Sequence, residues 1–332
     1  MNIKDIGEQG LLRILQKFCP AEIVGDDCAV MVTNPNKSLA VTTDMLVDQV
    51  HFSDRTTRPY DAGWRAAAAN LSDLAAMGAT PLAVTVALAV AADTALLWVE
   101  EFYRGMTACL QEYHTPIVGG DIVRSPVVTV AITAFGEVEC DRTIRRSNAR
   151  SGWAIVATGV HGSSRAGLEL LLNPEFGQNL TEVDRTALIL AHQRPKPRLD
   201  VLPIVWEILG SESETLIAGM DSSDGLADAI MQICRASGVG AKVDRQKIPI
   251  PNIFREILST EKALDWALYG GEDFELVLFL PMVNAELLVE KIGNKSAIVG
   301  TATDSTDIWL TDSSGIYSDA KLTLDRGFQH FR

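Results

Sequence analysis

Residues 61–90 read "DAGWRAAAANLSDLAAMGATPLAVTVALAV", and two periodicities meet at Gly78. Before it, Trp64, Ala67, Leu71, Leu74 and Met77 recur every three or four residues, which is one face of a helix. Asp61 is placed to cap the start of that helix and Gly78 to end it. After Gly78, the residues Leu82, Val84, Val86, Leu88 and Val90 alternate with Ala and Thr. That is the period-two signature of a strand with one buried face. A helix feeding a strand points to an α/β chain.

The pattern extends in both directions. Residues 38–46, "SLAVTTDML", and 127–139, "VVTVAITAFGEVE", read as strands. Residues 94–113 read as a helix whose core face is Leu96, Val99, Tyr103, Met106, Leu110 and Tyr113. The stretch 139–152, "ECDRTIRRSNARSG", is polar and unpatterned and reads as a link. Beyond it come strands in 153–159, 215–220, 274–280, 297–302 and 307–311, with helices in 163–172, 223–238 and 284–293. The 332 residues exceed one small core, so two α/β domains are expected.

Composition narrows the function. The net charge is −14 and no basic tract dominates, which argues against a nucleic-acid or anionic-membrane surface. The longest apolar stretch, "PLAVTVALAVAA", is too short to span a bilayer. The N-terminal residues contain acids and lack an apolar core, so no secretory leader is expected there. Cys19, Cys28, Cys109, Cys140 and Cys234 form no CxxC pair, and small buried thiols in a reducing cytoplasm are expected.

Acidic residues recur where hydrophobic segments end: "GDDCAV" at 25–30, "TTD" at 42–44, "GGD" at 119–121 and "MDSSDG" at 220–225. For any one of them a cap or a turn is the ordinary reading. Jointly, Asp27, Asp44, Asp73, Asp121, Asp221 and Asp224 would repel one another at strand ends, where α/β sheets bind ligands. Hard divalent cations offset such repulsion, and Mg²⁺ prefers carboxylate, water and phosphate oxygens. Thr42, Thr43, Ser222 and Ser223 add oxygens beside the acids. Asp73 lies among alanines, three residues from Asn70 on one helix face, which implies a face packed closely on something.

Other signals stay open on residues alone. The glycines of "VGGD" suit backbone contacts to phosphate or a tight turn. Arg142, Arg145, Arg146 and Arg150 in the link suit a solvated loop or a polyphosphate. His51 suits a substrate contact or a loop. No P-loop, nucleophile elbow or H-E-x-x-H is present.

Taken together, "GDDCAV", "TTDMLVDQVHF", "NLSDLAAMGA", "IVGGDIVRS", "RTIRRS", "DSSDGLADA", "YGGEDFELV" and "GFQHF" resemble the thiamine-monophosphate kinase family in order and spacing. That family belongs to an ATP-binding superfamily with aminoimidazole ribonucleotide synthetase, selenophosphate synthetase and a hydrogenase-maturation dehydratase. The resemblance implies an α/β (α+β) fold of two domains, 1–139 and 150–332. It implies a homodimer in which the N-terminal sheets of two subunits join as a β-barrel, with sites in the inter-domain clefts. It implies Mg-assisted, ATP-dependent, in-line phosphorylation of thiamine monophosphate to thiamine diphosphate in the cytoplasm, the last step of thiamine diphosphate biosynthesis.

Carried over residue by residue, metal ligands fall on Asp27, Thr42, Thr43, Asp44, Asp73, Asp121, Asp221 and Asp224. Nucleotide contacts fall on Gly120, Asp121, Arg146 and Ser223, and substrate contacts on His51, Glu272 and Phe328. Asp44, Asp73, Asp121 and Arg146 then stabilise charge, with no general base. Tyr103 is already explained as core. Ser222 departs from the pattern, because an apolar residue is commoner there. Two other readings remain: an ATP-using superfamily member with another acceptor, and a non-catalytic metal- or nucleotide-binding regulator.

Overall fold

A computed structural model describes residues 1–21, 23, 28–210, 216–293, 295–323 and 326–327. Asp27 and Phe328 lie outside the described residues. The chain divides into two compact units. One is Met1–Leu74 with Ala79–Cys140, the other Ala75–Gly78 with Asp141–Arg332.

The first unit contains α1 (Ile3–Leu15), β1 (Lys37–Val47), most of α2 (Pro59–Ala76), β2 (Thr80–Val90), α3 (Leu96–Glu112), β3 (Ile117–Arg124) and β4 (Thr129–Glu139). Its strands form one open sheet in the order β1-β4-β2-β3, antiparallel except for the parallel pair β2–β3. Val84, Val86, Leu88 and Val90 of β2 are buried, as the alternation predicts. So are Val130, Ile132, Ala134 and Val138 of β4. Helices α2 and α3 touch backbone to backbone. A Cβ on Gly63 would lie 1.9 Å from the carbonyl oxygen of Phe102, and one on Gly105 would lie 1.8 Å from that of Tyr60. The small residues of α2 are therefore there for close approach. The helix starts at Pro59, which suits its first position. Asp61 is thus a buried residue of the first turn and not the expected cap.

The second unit contains β5 (Ala154–Ala157), α4 (Ser163–Leu172), α5 (Glu182–Gln193), α6 (Val201–Leu209), β6 (Ala218–Asp221), α7 (Leu226–Ser237), β7 (Gly240–Asp244), α8 (Phe254–Ile257), α9 (Thr260–Tyr269), β8 (Leu276–Leu280), α10 (Met282–Ile292), β9 (Ala297–Thr303), β10 (Ile308–Thr311) and β11 (Ala320–Lys321). The sheet order is β11-β10-β7-β9-β5-β8-β6, mixed, with β10–β7 the parallel pair. β5 and β8 are buried on both faces, so both read as continuous apolar runs. One core lies between the sheet, α7 and α9, and another between the sheet, α6 and α10. Gly238, at the end of α7, has φ of 67°, the left-handed stop read from its position. Residues 139–152 carry two short 3₁₀ turns, Cys140–Arg142 and Arg146–Asn148.

The thiol expectation needs correction. Cys109 and Cys234 are buried, but Cys28 and Cys140 are exposed and Cys19 is half-buried. No helix among the described residues is long and apolar enough to cross a membrane.

Candidate active site

In the first unit β1 presents alternate residues to α2. Thr42 donates its hydroxyl to Asp73 Oδ2, and the backbone N–H of Asp44 donates to Asn70 Oδ1 at 3.2 Å. The pair Asn70–Asp73, three apart on α2, thus meets Thr42 and Asp44, two apart on β1. Helical and strand periods coincide over this one turn. Asp73 and Asp44 are half-buried, so the close packing inferred for the Asp73 face holds without full burial. Thr43 points to the other face, where it donates to Ile132 O at 2.9 Å and is exposed.

Asp44 and Asp121 occupy the middles of strands, not their ends. Gly119 and Gly120 also lie inside β3. A Cβ on Gly120 would sit 2.0 Å from Val86 O, so glycine is required there by the approach of β2. Register places Asp44 opposite Ile132, Ile132 opposite Val86, and Val86 opposite Gly120. Three strand spacings therefore separate Asp44 from Gly120, about 14 Å along the sheet. Asp121 is exposed, beside a cleft of 170 Å³ walled by Gly119, Gly120, Val86 and Tyr103. Tyr103 is buried against Phe18 and Phe102, as core spacing predicts, and reaches this cleft.

His51 closes a turn after β1. Its Nδ1 accepts the N–H of Val47 at 3.0 Å, which leaves the proton of a neutral ring on Nε2 as a donor.

In the second unit the acids cluster around a loop. Asp221, buried at the end of β6, accepts the Ser223 hydroxyl at 3.1 Å. Asp224 follows in the turn into α7 and is exposed. Asp228, one turn on, has its carboxyl held above the usual range by burial and by Asp224, with Arg146 acting in the opposite direction. Arg146 is exposed, and its carbonyl accepts the Ser237 hydroxyl of α7 at 2.7 Å. Arg142 and Arg150 instead lie over the rings of Trp206 and Trp153.

Glu272 joins this loop directly: its N–H donates to Ser223 O at 2.7 Å. Gly271, Glu272 and Phe274 all have positive φ, which holds the segment in a tight left-handed path. Asp273 accepts the N–H groups of Gly162 and Ser164 at 2.6 and 2.9 Å, and so caps α4 from outside it. Burial outweighs those two donors and pushes the Asp273 carboxyl up to about 7. Asp221, Ser223, Asp224 and Glu272 are thereby gathered in one place; the Arg146 backbone is held at the far end of α7, by Ser237, while its charge acts on Asp228.

Sequence reading missed His161, Ser164, His192 and the capping role of Asp273. Their partners are distant in sequence, and no spacing announces them. The donors present are hard oxygens, which suit Mg²⁺ chemically. Among the described residues, however, no group of three or more His, Cys, Asp or Glu side chains is arranged to hold a metal ion.

The fold belongs to a defined class. The family model described as AIR synthase related protein, N-terminal domain, matches residues 25–138, and the corresponding C-terminal domain model matches 150–312. The thiamine-monophosphate kinase of Synechococcus elongatus is 48% identical, over 99% of this chain and 98% of its own length. The crystal structure of thiamine-monophosphate kinase from Stenotrophomonas maltophilia K279a is 33% identical with a TM-score of 0.75, covering 86% of this chain and 88% of its own. AaThiL complexed with AMPPCP and TMP is 30% identical with a TM-score of 0.71, covering 97% of this chain and 99% of its own. The chain belongs to the thiamine-monophosphate kinase family.

Proposed function

We infer that this chain carries out the activity of its family, the ATP-dependent phosphorylation of thiamine monophosphate to thiamine diphosphate. The observation that carries the reading is the 48% identity reached over 99% of the chain. The relative complexed with AMPPCP and TMP supports the same pair of substrates.

The roles assigned to individual residues are part of the proposal. Thr42, Asp44, Asp73, Asp121, Asp221 and Asp224, with Asp27, would hold Mg²⁺, and Thr43, whose side chain points to the other face of β1, could join them only through its backbone oxygen. A divalent cation bound to such oxygens neutralises charge between two polyanions. Gly120, Asp121, Arg146 and Ser223 contact the nucleotide. Arg146 places a delocalised cation where phosphate charge develops. His51, Glu272 and Phe328 contact the acceptor, whose aminopyrimidine and cationic thiazolium complement the Glu272 carboxylate.

The 1–139 domain would bind ATP and metal and dimerise, and 150–332 would form the C-terminal α/β domain. Leu39, Val41 and Met45 project from one face of β1 and are each more than half exposed, which supports a homodimer whose sheets close as a barrel. A cytoplasmic location, without nucleic-acid or membrane partners, completes the reading. The purified chain, ATP and Mg²⁺ are incubated with thiamine, thiamine monophosphate, aminoimidazole ribonucleotide precursors and selenide. Phosphorylation of thiamine monophosphate alone is expected. Turnover of another acceptor, or none, overturns the reading.

A further inference from the structure

Helix α5 lies against α4 so closely that a Cβ on Gly167 would sit 2.1 Å from Leu188 O. The contact brings the last turn of α5 over the first turn of α4. His192 is carried there and is 2% exposed. Its Nδ1 lies 3.1 Å from Ser164 Oγ and 3.6 Å from Glu272 Oε2. The Ser164 N–H in turn donates to Asp273, the neighbour of Glu272. The Glu272 backbone is fixed separately, through Ser223 O and a φ of 58°. One buried imidazole, hydrogen-bonded to Ser164, therefore faces the carboxylate at ion-pair range, while other groups hold the Glu272 main chain. A long flexible carboxylate that must read an acceptor loses less freedom on binding when a partner already restrains it.

We propose that His192 is a positioning residue for acceptor recognition, orienting the Glu272 carboxylate through Nδ1 from the α4–α5 contact. The inference rests on Glu272 as an acceptor contact. Asn presents an amide nitrogen near the place of Nδ1, whereas Leu fills the space with no donor. His192→Leu is expected to raise KM for thiamine monophosphate about tenfold while KM for ATP and kcat stay within about twofold. His192→Asn is expected to restore most of that loss.

A purely structural role predicts different results. If His192 only packs α5 on α4, ATP and acceptor parameters should move together in His192→Leu, and that result overturns the proposal. Glu272→Ala provides the reference, and the double variant with His192→Leu should be no worse than Glu272→Ala alone. A Glu272→Ala enzyme with unchanged acceptor KM removes the underlying reading of Glu272. A raised KM in Glu272→Ala with none in His192→Leu removes the role of His192 alone. Should His192→Leu fail to fold, His192→Gln, which moves the donor by about one bond length, must raise the acceptor KM above that of His192→Asn. Equal values overturn the proposal.

Discussion

Ser222 donates its hydroxyl hydrogen to Nε2 of His161 across 3.1 Å, with both side chains fully enclosed. The other ring nitrogen lies 3.0 Å from Gly159 O, an acceptor only, so Nδ1 carries the proton and Nε2 accepts. Burial also pushes the His161 imidazole down to about 4, which keeps it neutral. Ser222 thus answers a buried histidine, next to Asp221.

Ser222→Ala leaves the Nε2 lone pair without a donor and should cost about 1–3 kcal/mol. Adding His161→Leu removes the stranded nitrogen, so the double variant should recover part of that loss. Urea denaturation of the four proteins measures it. Strictly additive losses would mean that the pair is not coupled.

Asp73→Ala removes a carboxylate that meets Thr42 and lies one helical turn from the Asn70–Asp44 contact. Turnover should fall about a thousandfold, on the order of 4 kcal/mol of transition-state stabilisation. The thermal midpoint should stay within about 3 °C, because Asp73 is half-buried and water can replace it as the acceptor for Thr42. Normal turnover at limiting Mg²⁺ would take Asp73 out of the site.

Much of this was legible in the sequence, and the omissions have physical causes. Alternation gives β2 and β4, and three–four spacing gives α3, because each element has one dry face. Helix α5 escapes because its buried residues are only Leu188 and His192. Helix α6 is apolar nearly all round and carries Pro203 near its start, so periodicity is silent. Gly119 and Gly120 suit a phosphate contact or a tight turn on sequence, yet the approach of Val86 O explains Gly120 inside β3. The acids show as a recurring pattern, but register alone reveals that Asp44 and Gly120 are three strands apart. Ser164 and His192 are 28 residues apart, and His161 and Ser222 are 61 apart, so neither pair leaves a local signature.

Asp273 predicts a pH dependence of stability. Its folded pKa is raised from 3.8 to about 7, chiefly by burial. Between those values the folded state holds a proton that the unfolded chain has lost. Its contribution is complete below about pH 4 and is lost as pH rises to about 7. Relative to Asp273→Asn, the wild type should therefore lose up to about 4 kcal/mol across that window. Parallel curves for the two proteins in denaturation from pH 4 to 8 would contradict it.

Val41 on β1 is 56% exposed between Leu39 and Met45 on the same face. If that face closes against a second copy, Val41→Asp buries a charge there and should shift the chain from dimer to monomer. Sedimentation velocity reads the outcome directly. A variant that stays dimeric, or a wild type that is monomeric, removes this face as the interface.

The transfer should need no side chain as general base or nucleophile. The acceptor is a phosphate monoester with a second pKa of about 6, by analogy with phosphoserine. Near neutral pH its oxygen is already largely ionised, so a base has little to remove. The barrier is repulsion between two anions, which positioning and, in the proposed site, the Arg146 cation would address. A single in-line displacement inverts configuration at the γ-phosphorus of chirally labelled ATP. Activity should fall as pH drops through the acceptor's own pKa. His51 takes the Val47 N–H on Nδ1, so a His51 that contacts the acceptor as proposed would meet it with a donor, not a base. His51→Gln should therefore raise the acceptor KM and leave the shape of the pH profile unchanged. Net retention at phosphorus, or a trapped phospho-aspartate or phospho-histidine, would establish a covalent intermediate and overturn this mechanism.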